Sequence, residues 1–278
     1  MKLASTAGST KRINMKVYET IHEAYLGTIY EVLQSPDYVC APRGQKILEK
    51  VDYTFAVVNP VAEPIVTADE ERNRVIAEYT AKEMILYDSG SNKVTDFAKA
   101  SKFWEKIANP DGTINSAYGY LIWGKRSQGN PTYEFDMSYD GFFLKDSSAF
   151  RTPWEWAKQA LLTDKDTRQA VMSFALPEHR WVGNKDQVCT LHGNWLIRND
   201  YLNLSIVMRA NDLSKGLAYD LTWFVSLMDK MLEELKPTYP ELKKGTYTHT
   251  AHSMHIYERD IPQMEKMLGI DEDSITIL

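Results

Sequence analysis

QVCTLHGNWLIRNDYLNLSIVMRANDLSKGLAYDLTWF, residues 187–224, is the stretch that decides the fold. Two runs of strand character, 187–198 and 201–209, flank Asn199-Asp200, a pair suited to a two-residue hairpin turn. Gly216 follows, and then a long apolar helix over about 218–235 carries Leu221, Phe224, Val225, Met228, Leu232 and Leu235, with Pro237 just beyond. Cys189 stands early in the first run. Alternation along the second puts Arg209 on one face with Asn203, Ser205 and Val207. A hairpin that leads into an apolar helix predicts a sheet covered by helices.

The flanking chain agrees. Helical spacing of Val17, Ile21, Ala24, Tyr25, Val32 and Leu33 predicts a helix over 15–34, stopped by Ser35-Pro36. Residues 47–58 read as a strand, and Asp69-Glu70-Glu71 opens a helix that runs to about Tyr87. A short strand is expected at 118–123, a helix from Pro153 to about Leu162, and strands at 168–175 and 246–257. Strands and helices do not alternate regularly, which favours α+β over a doubly wound sheet. No linker or repeat divides the chain. Residues 1–12 are expected to be flexible and 13–278 to form a single domain.

The 278 residues are 44% hydrophobic and 25% charged, with a net charge of −6. That balance gives no general attraction to a nucleic-acid backbone, so a nucleic-acid partner is not expected. A small anionic substrate would need local arginines. Two cysteines make no disulfide scaffold and point to the cytoplasm, and no apolar run is long enough for a membrane span. His-Glu-x-x-His, Cys-x-x-Cys and glycine-rich phosphate loops are all missing, so no metal is expected.

Four features carry chemistry. Glu83 falls on a helical stripe with Val75, Tyr79 and Leu86; a carboxylate facing a core is costly unless it is paired or used, and the plain alternative is a helix turned so that Glu83 meets solvent. Arg209, closing an apolar strand, suits an anion, or else a surface ion pair. Asp212 and Asp220 flank Gly216, and Asp220 by itself reads equally as a helix cap. The last strand puts Tyr247, His249, Ser253, His255 and Tyr257 on one face, a ligand wall or a solvated face.

The order of these features resembles the thymidylate synthase superfamily, and within it the pyrimidine nucleotide hydroxymethylases, from about Arg43 to Tyr257. The resemblance implies a mixed sheet packed by helices, with one sheet face forming a homodimer interface. By likeness, Cys189 is the nucleophile, and Arg209 and Asp212 belong to an Arg-x-x-Asp phosphate turn followed by Gly216. Glu83 is the catalytic glutamate in a helix ending Ser89-Gly90, and Tyr118 is the catalytic tyrosine of the segment Gly112 to Gly119. Trp104, after Phe103, lines the folate pocket, with Asp212 and Gly216 also on the cofactor side. Arg43, next to Gly44, matches a phosphate loop; Arg168 reaches the partner subunit's phosphate; His255 and Tyr257 form the His-x-Tyr that binds the sugar hydroxyl.

The departures from the family pattern point to the base. Val188-Cys189-Thr190 replaces Pro-Cys-His, and Asp220 replaces the asparagine that reads uracil, both as in cytosine enzymes. Gln169 stands for a second arginine, and Ala210 for the serine after the phosphate arginine. The resemblance therefore implies 5-hydroxymethylation of dCMP, or of CMP, with 5,10-methylenetetrahydrofolate as co-substrate. A 5-methylase that keeps the folate hydride step is the alternative, and a non-catalytic nucleotide-binding relative is the second. The Cys189 thiolate would be favoured by Arg209 and the partner's Arg168. The expected location is the cytoplasm, a host's if the chain is phage-encoded.

Overall fold

A computed structural model describes residues 15–123 and 152–270; the expected flexible start at 1–12 lies outside them. The hairpin and helix of the deciding stretch are present as β5 (Thr190–Arg198), β6 (Tyr201–Met208) and α7 (Ala218–Leu235). Asn199 and Asp200 both take left-handed backbone angles, φ 50° and 61°, as a tight hairpin turn of matching twist requires.

Around this unit lies one mixed sheet. Its other strands are β1 (Lys16–Tyr18), β2 (Tyr38–Cys40), β3 (Ile47–Val57), β4 (Val171–Ser173), β7 (Asn211–Asp212) and β8 (Lys243–Tyr257). The order is β1-β3-β8-β6-β5-β4, with β2 on β3 and β7 on β8. β8 pairs antiparallel with β3 but parallel with β6 and β7. Inward residues of β8, among them Tyr247, His249 and Ala251, are buried, and alternate with half-buried Thr248 and Thr250. The remaining helices are α1 (Ile21–Gln34), α2 (Glu70–Asp88), α3 (Val94–Ala100), α4 (Phe103–Ile107), α5 (Tyr118–Ile122), α6 (Pro153–Thr163) and α8 (Ile261–Met267).

α7 anchors the core. Leu221, Phe224, Val225, Leu227, Met228, Met231 and Leu235 are fully buried on it. Burial of each such side chain contributes roughly 1.5–3 kcal/mol, which outweighs the modest helix propensity of its aromatic and β-branched residues.

Four expectations change. Residues 15–34 are not one helix: Lys16–Tyr18 pairs in parallel with Phe55–Val57, and the helix starts at Ile21, where Thr20 accepts a hydrogen bond from the Glu23 amide at 3.2 Å. The last strand begins at Lys243, and the strand expected over 168–175 is confined to Val171–Ser173. Tyr118–Ile122 is a helix, not a strand. A short apolar run does not distinguish the two by periodicity, and packing decided here. A Cβ on Gly119 would stand 1.8 Å from the Tyr87 carbonyl oxygen, so only glycine lets α5 lie against the end of α2. Among the described residues, no helix is long and apolar enough to cross a membrane, and no cluster of three or more His, Cys, Asp or Glu could hold a metal.

Candidate active site

The end of the β5–β6 hairpin brings Cys189 and Arg209 together. The Arg209 amide donates to the Cys189 carbonyl at 2.8 Å. The β5–β6 register shifts between Thr190 and His192, an irregularity of the kind that re-aims a side chain. The Arg209 guanidinium donates from Nε to the Val188 carbonyl at 3.0 Å and also to the Gln187 carbonyl, and one of its nitrogens lies 3.5 Å from Cys189 Sγ. Those carbonyls fix the guanidinium, leaving Arg209 over the thiol rather than in an ion pair.

The thiol itself departs from expectation. Burial pushes the Cys189 pKa up, Arg209 pulls it down, and Asp220, Asp186 and Asp212 push it up again. The expectation of a lowered thiol is therefore corrected for the isolated chain. Desolvation disfavours the thiolate, and three carboxylates oppose one guanidinium.

Glu83 is buried at 8% exposure, which excludes the solvent-facing alternative. The buried face of α2 is Arg72, Ile76, Thr80, Glu83, Leu86 and Tyr87; Val75, placed on that stripe from sequence, is 40% exposed. Tyr87 Oη donates to Glu83 Oε1 at 3.0 Å, Tyr79 also hydrogen-bonds it, and Trp104 Nε1 donates to Tyr79 Oη at 3.2 Å. Burial raises the Glu83 carboxyl to about 7, against the lowering pull of the two tyrosines. Tyr79 and Tyr87, four residues to either side of Glu83 on one helix, were legible as partners from spacing alone but were not assigned that role.

Glu83 has a consequence for stability. Its folded-state value lies above its ordinary 4.5, so the folded protein binds the proton more tightly than the unfolded chain. Stability from this group is full below about pH 4.5 and is lost as pH rises toward about 7. Glu83→Gln is therefore expected to be more stable than wild type at about pH 8, by on the order of 2–3 kcal/mol, with the gap closing toward about pH 5. Denaturant melts of both proteins across that range check it; parallel stability curves would refute it.

Tyr118, at the start of α5, is buried against Tyr87, Trp223 and Phe174, with ring centroids 5.4–5.5 Å away. Burial raises its hydroxyl well above the usual range, helped by the charges of Asp220, Cys189 and Glu83. Asp220, in the first turn of α7, has its carboxyl pushed far above the carboxylate range, first by burial and then by the Glu83 charge. Asn211 stands beside it and draws its pKa down. A Cβ on Gly216 would lie 2.6 Å from Asn211 Oδ1 and 3.4 Å from Asp220 Oδ2, so this glycine is the floor beneath both.

Asp212 accepts from the Ser214 amide at 2.8 Å, capping the turn before α7, and pairs in register with His255 on β8. Burial raises its pKa and the His255 charge lowers it. His255 and Tyr257 meet edge to face at 5.3 Å, and the Arg259 guanidinium lies 4.2 Å from the Tyr257 ring centroid. Trp104 packs edge-on to Phe97, and Tyr79 meets Tyr219 at 4.5 Å, so an aromatic wall stands beside Glu83. Ala210 is half-buried directly after Arg209.

Two predicted residues are not drawn into this cluster. Arg43 is exposed in a turn, at φ 53°, before β3 and near the β8 end that carries His255 and Tyr257. Arg168 is exposed in the loop before the edge strand β4.

The family model for thymidylate synthase matches residues 23–276. Among curated proteins, the deoxycytidylate 5-hydroxymethyltransferase of Enterobacteria phage T6 is 26% identical over 234 residues, covering 82% of each chain. The deoxyuridylate hydroxymethyltransferase of Bacillus phage SP01 is 24% identical, covering 90% of this chain and 61% of its own. The solved structure of thermostable thymidylate synthase A from Bacillus subtilis superposes with a TM-score of 0.64 at 16% identity, covering 89% of this chain and 83% of that one.

Proposed function

The chain belongs to the thymidylate synthase family, hence is a folate-dependent transferase of pyrimidine nucleotides, and we propose that its reaction is 5-hydroxymethylation of a cytosine nucleotide. The observation that carries the reading is Asp220: a half-buried carboxyl, pushed well above the carboxylate range by desolvation and the Glu83 charge, on the same wall as Cys189. Cytosine presents an amino donor and an N3 acceptor. A carboxyl that accepts from one and shares a proton with the other matches that edge, whereas uracil's O4 would face an acceptor.

In this reading Cys189 Sγ adds to C6 of the base, which makes C5 nucleophilic, and Arg209 stabilises the thiolate as it forms. The folate supplies a one-carbon unit at the oxidation level of formaldehyde. The wall of Trp104, Tyr79 and Tyr219 suits a flat ring beside the base, with Asp212 and Gly216 on the same side. Tyr118 assists proton removal from C5. Glu83, near neutrality in its titration and held by two phenols, orders the water that completes the hydroxymethyl group. His255 and Tyr257 hold the sugar, and Arg209 and Arg43 take the phosphate.

Charge balance supports a homodimer. A substrate phosphate would add negative charge to a site where carboxylates already outnumber Arg209, so the partner's Arg168 is the proposed further cation. Residues 13–278 act as one catalytic domain. dCMP is the proposed substrate; CMP is the alternative, because Ala210 lacks the hydroxyl found at this place in deoxynucleotide enzymes.

Incubation of the protein with 5,10-methylenetetrahydrofolate and dCMP, CMP or dUMP in turn, followed by mass spectrometry, tests this. The expected product is the 5-hydroxymethyl derivative of a cytosine nucleotide, formed with tetrahydrofolate and without dihydrofolate. A methylated product with dihydrofolate would establish the methylase alternative, and conversion of dUMP alone would overturn the base assignment.

A further inference from the structure

Behind Asp220 lies a row of buried polar groups that the proposed chemistry does not use. Asn211 on β7 is 2% exposed, and His249 on β8 is fully buried. Asn211 Nδ2 lies 3.2 Å from His249 Nε2 and 2.9 Å from Met208 Sδ, while its carbonyl oxygen, turned toward Gly216 and Asp220, is buried without a hydrogen bond. His249 Nδ1 lies 2.8 Å from Tyr247 Oη, and Phe55 stacks on the imidazole at 5.2 Å.

Donor accounting fixes the direction of this row. A buried hydroxyl needs an acceptor, and among the described residues the hydrogen-bond partner of Tyr247 Oη is His249 Nδ1. Tyr247 therefore donates. Burial pushes His249 down to about 3, so the ring is neutral and its single proton sits on Nε2. Nε2–H must in turn meet an acceptor, which is the Asn211 oxygen rather than its nitrogen. The two ends of an amide are interchangeable in shape, and turning it over exchanges an N–H contact to a thioether, a weak acceptor, for an oxygen against the same sulfur. The oxygen then accepts from His249, and the nitrogen faces the Asp220 carboxyl.

We propose that Tyr247, His249 and Asn211 form a one-way relay of donors that positions Asp220 for cytosine, a reading that rests on the proposed function. The Asn211 N–H holds one Asp220 oxygen as an acceptor. The carboxyl proton is left on the other oxygen, where N3 of the base would stand. Glu83 and Asp212 are the other charged groups that bear on Asp220, and both push its pKa up. These three are positioning residues, since they act through Asp220.

The direct test is the tautomer of His249, read from imidazole ¹⁵N shifts in the intact wild-type protein. An Nε2–H ring is expected, and an Nδ1–H ring overturns the relay without any variant having to fold. In kinetics, Asn211→Leu is expected to lower the dCMP-over-dUMP ratio of kcat/KM about tenfold, and Tyr247→Phe several-fold, mostly through kcat. Asp220→Asn is assayed beside them. If it collapses the ratio while both relay variants keep it, the relay is wrong and the cytosine reading stands. If Asp220→Asn leaves the ratio unchanged, the cytosine reading itself fails.

Discussion

Cys189→Ser is expected to stop turnover, with a loss of ~10⁴-fold or more, while nucleotide affinity stays within about tenfold of wild type. The two effects separate because they use different atoms. Turnover requires a soft nucleophile that adds to an electron-poor ring carbon and later leaves it, and a serine hydroxyl is not appreciably ionised in a buried site. Affinity rests on the surrounding groups, which the substitution leaves in place. Arg209 is held by the carbonyls of Val188 and Gln187, not by the sulfur, so it does not move when the thiol is lost. The Asp220 carboxyl keeps its place beside Gly216 and Asn211. Steady-state rates and equilibrium binding of dCMP to both proteins check the two halves. Turnover near the wild-type rate in Cys189→Ser would remove covalent catalysis from the mechanism.

Asp220→Asn should lower the ratio of kcat/KM for cytosine over uracil nucleotides by ~10² or more. Chemistry at C5 and C6 is common to both bases, so the catalytic residues need not change. The pattern read at N3 and position 4 does change. An asparagine amide donates to O4 and accepts from the uracil N3–H, and it has no acidic proton to share with cytosine N3. A cytosine enzyme therefore loses both a contact and the activation of C6 that goes with protonating the ring. The competing view is that Asp220 only favours the start of α7. Asparagine is a comparable residue at a helix N-terminus, so in that case both stability and base preference would be nearly unchanged. Kinetics with dCMP, CMP and dUMP on the two proteins decide it. The raised carboxyl of Asp220 argues against a capping role, since a carboxyl caps best as an ionised acceptor.

Much of this site could be read before the fold was known, for identifiable reasons. Glu83 stood out because a carboxylate at apolar helical spacing is costly. The registration was off by about one residue: Val75 faces outward, and Ile76 and Thr80 share the buried face with Glu83. The error matters little for Glu83 itself, because a helical stripe is wide. The hairpin and α7 were legible to within a few residues because turn chemistry and apolar periodicity agree there. Tyr118 was placed in a strand because six apolar and aromatic residues carry no period of their own. Expecting a low thiol pKa from Arg209 failed for another reason: sequence shows which charges exist, not how deeply the thiol is buried among them.

The sequence by itself determined the elements and the residue types that carry the chemistry. Alternation with period two, helical spacing, and turn or cap residues are properties of neighbours along the chain, and they specify the β5–β6 hairpin, the α7 helix and the order of Glu83, Tyr118, Cys189, Arg209 and Asp220. Only the tertiary structure decided what those residues feel. Gly119 under the Tyr87 carbonyl turns an apolar run into a helix; Asn211 meets His249 across 38 positions of chain; Asp220, Asp212 and Asp186 gather around one thiol. Each depends on which elements pack together, and packing removes water. Desolvation then shifts the titration of Glu83, Cys189 and Asp220 upward, and it is a property of three-dimensional surroundings that no local stretch of sequence contains.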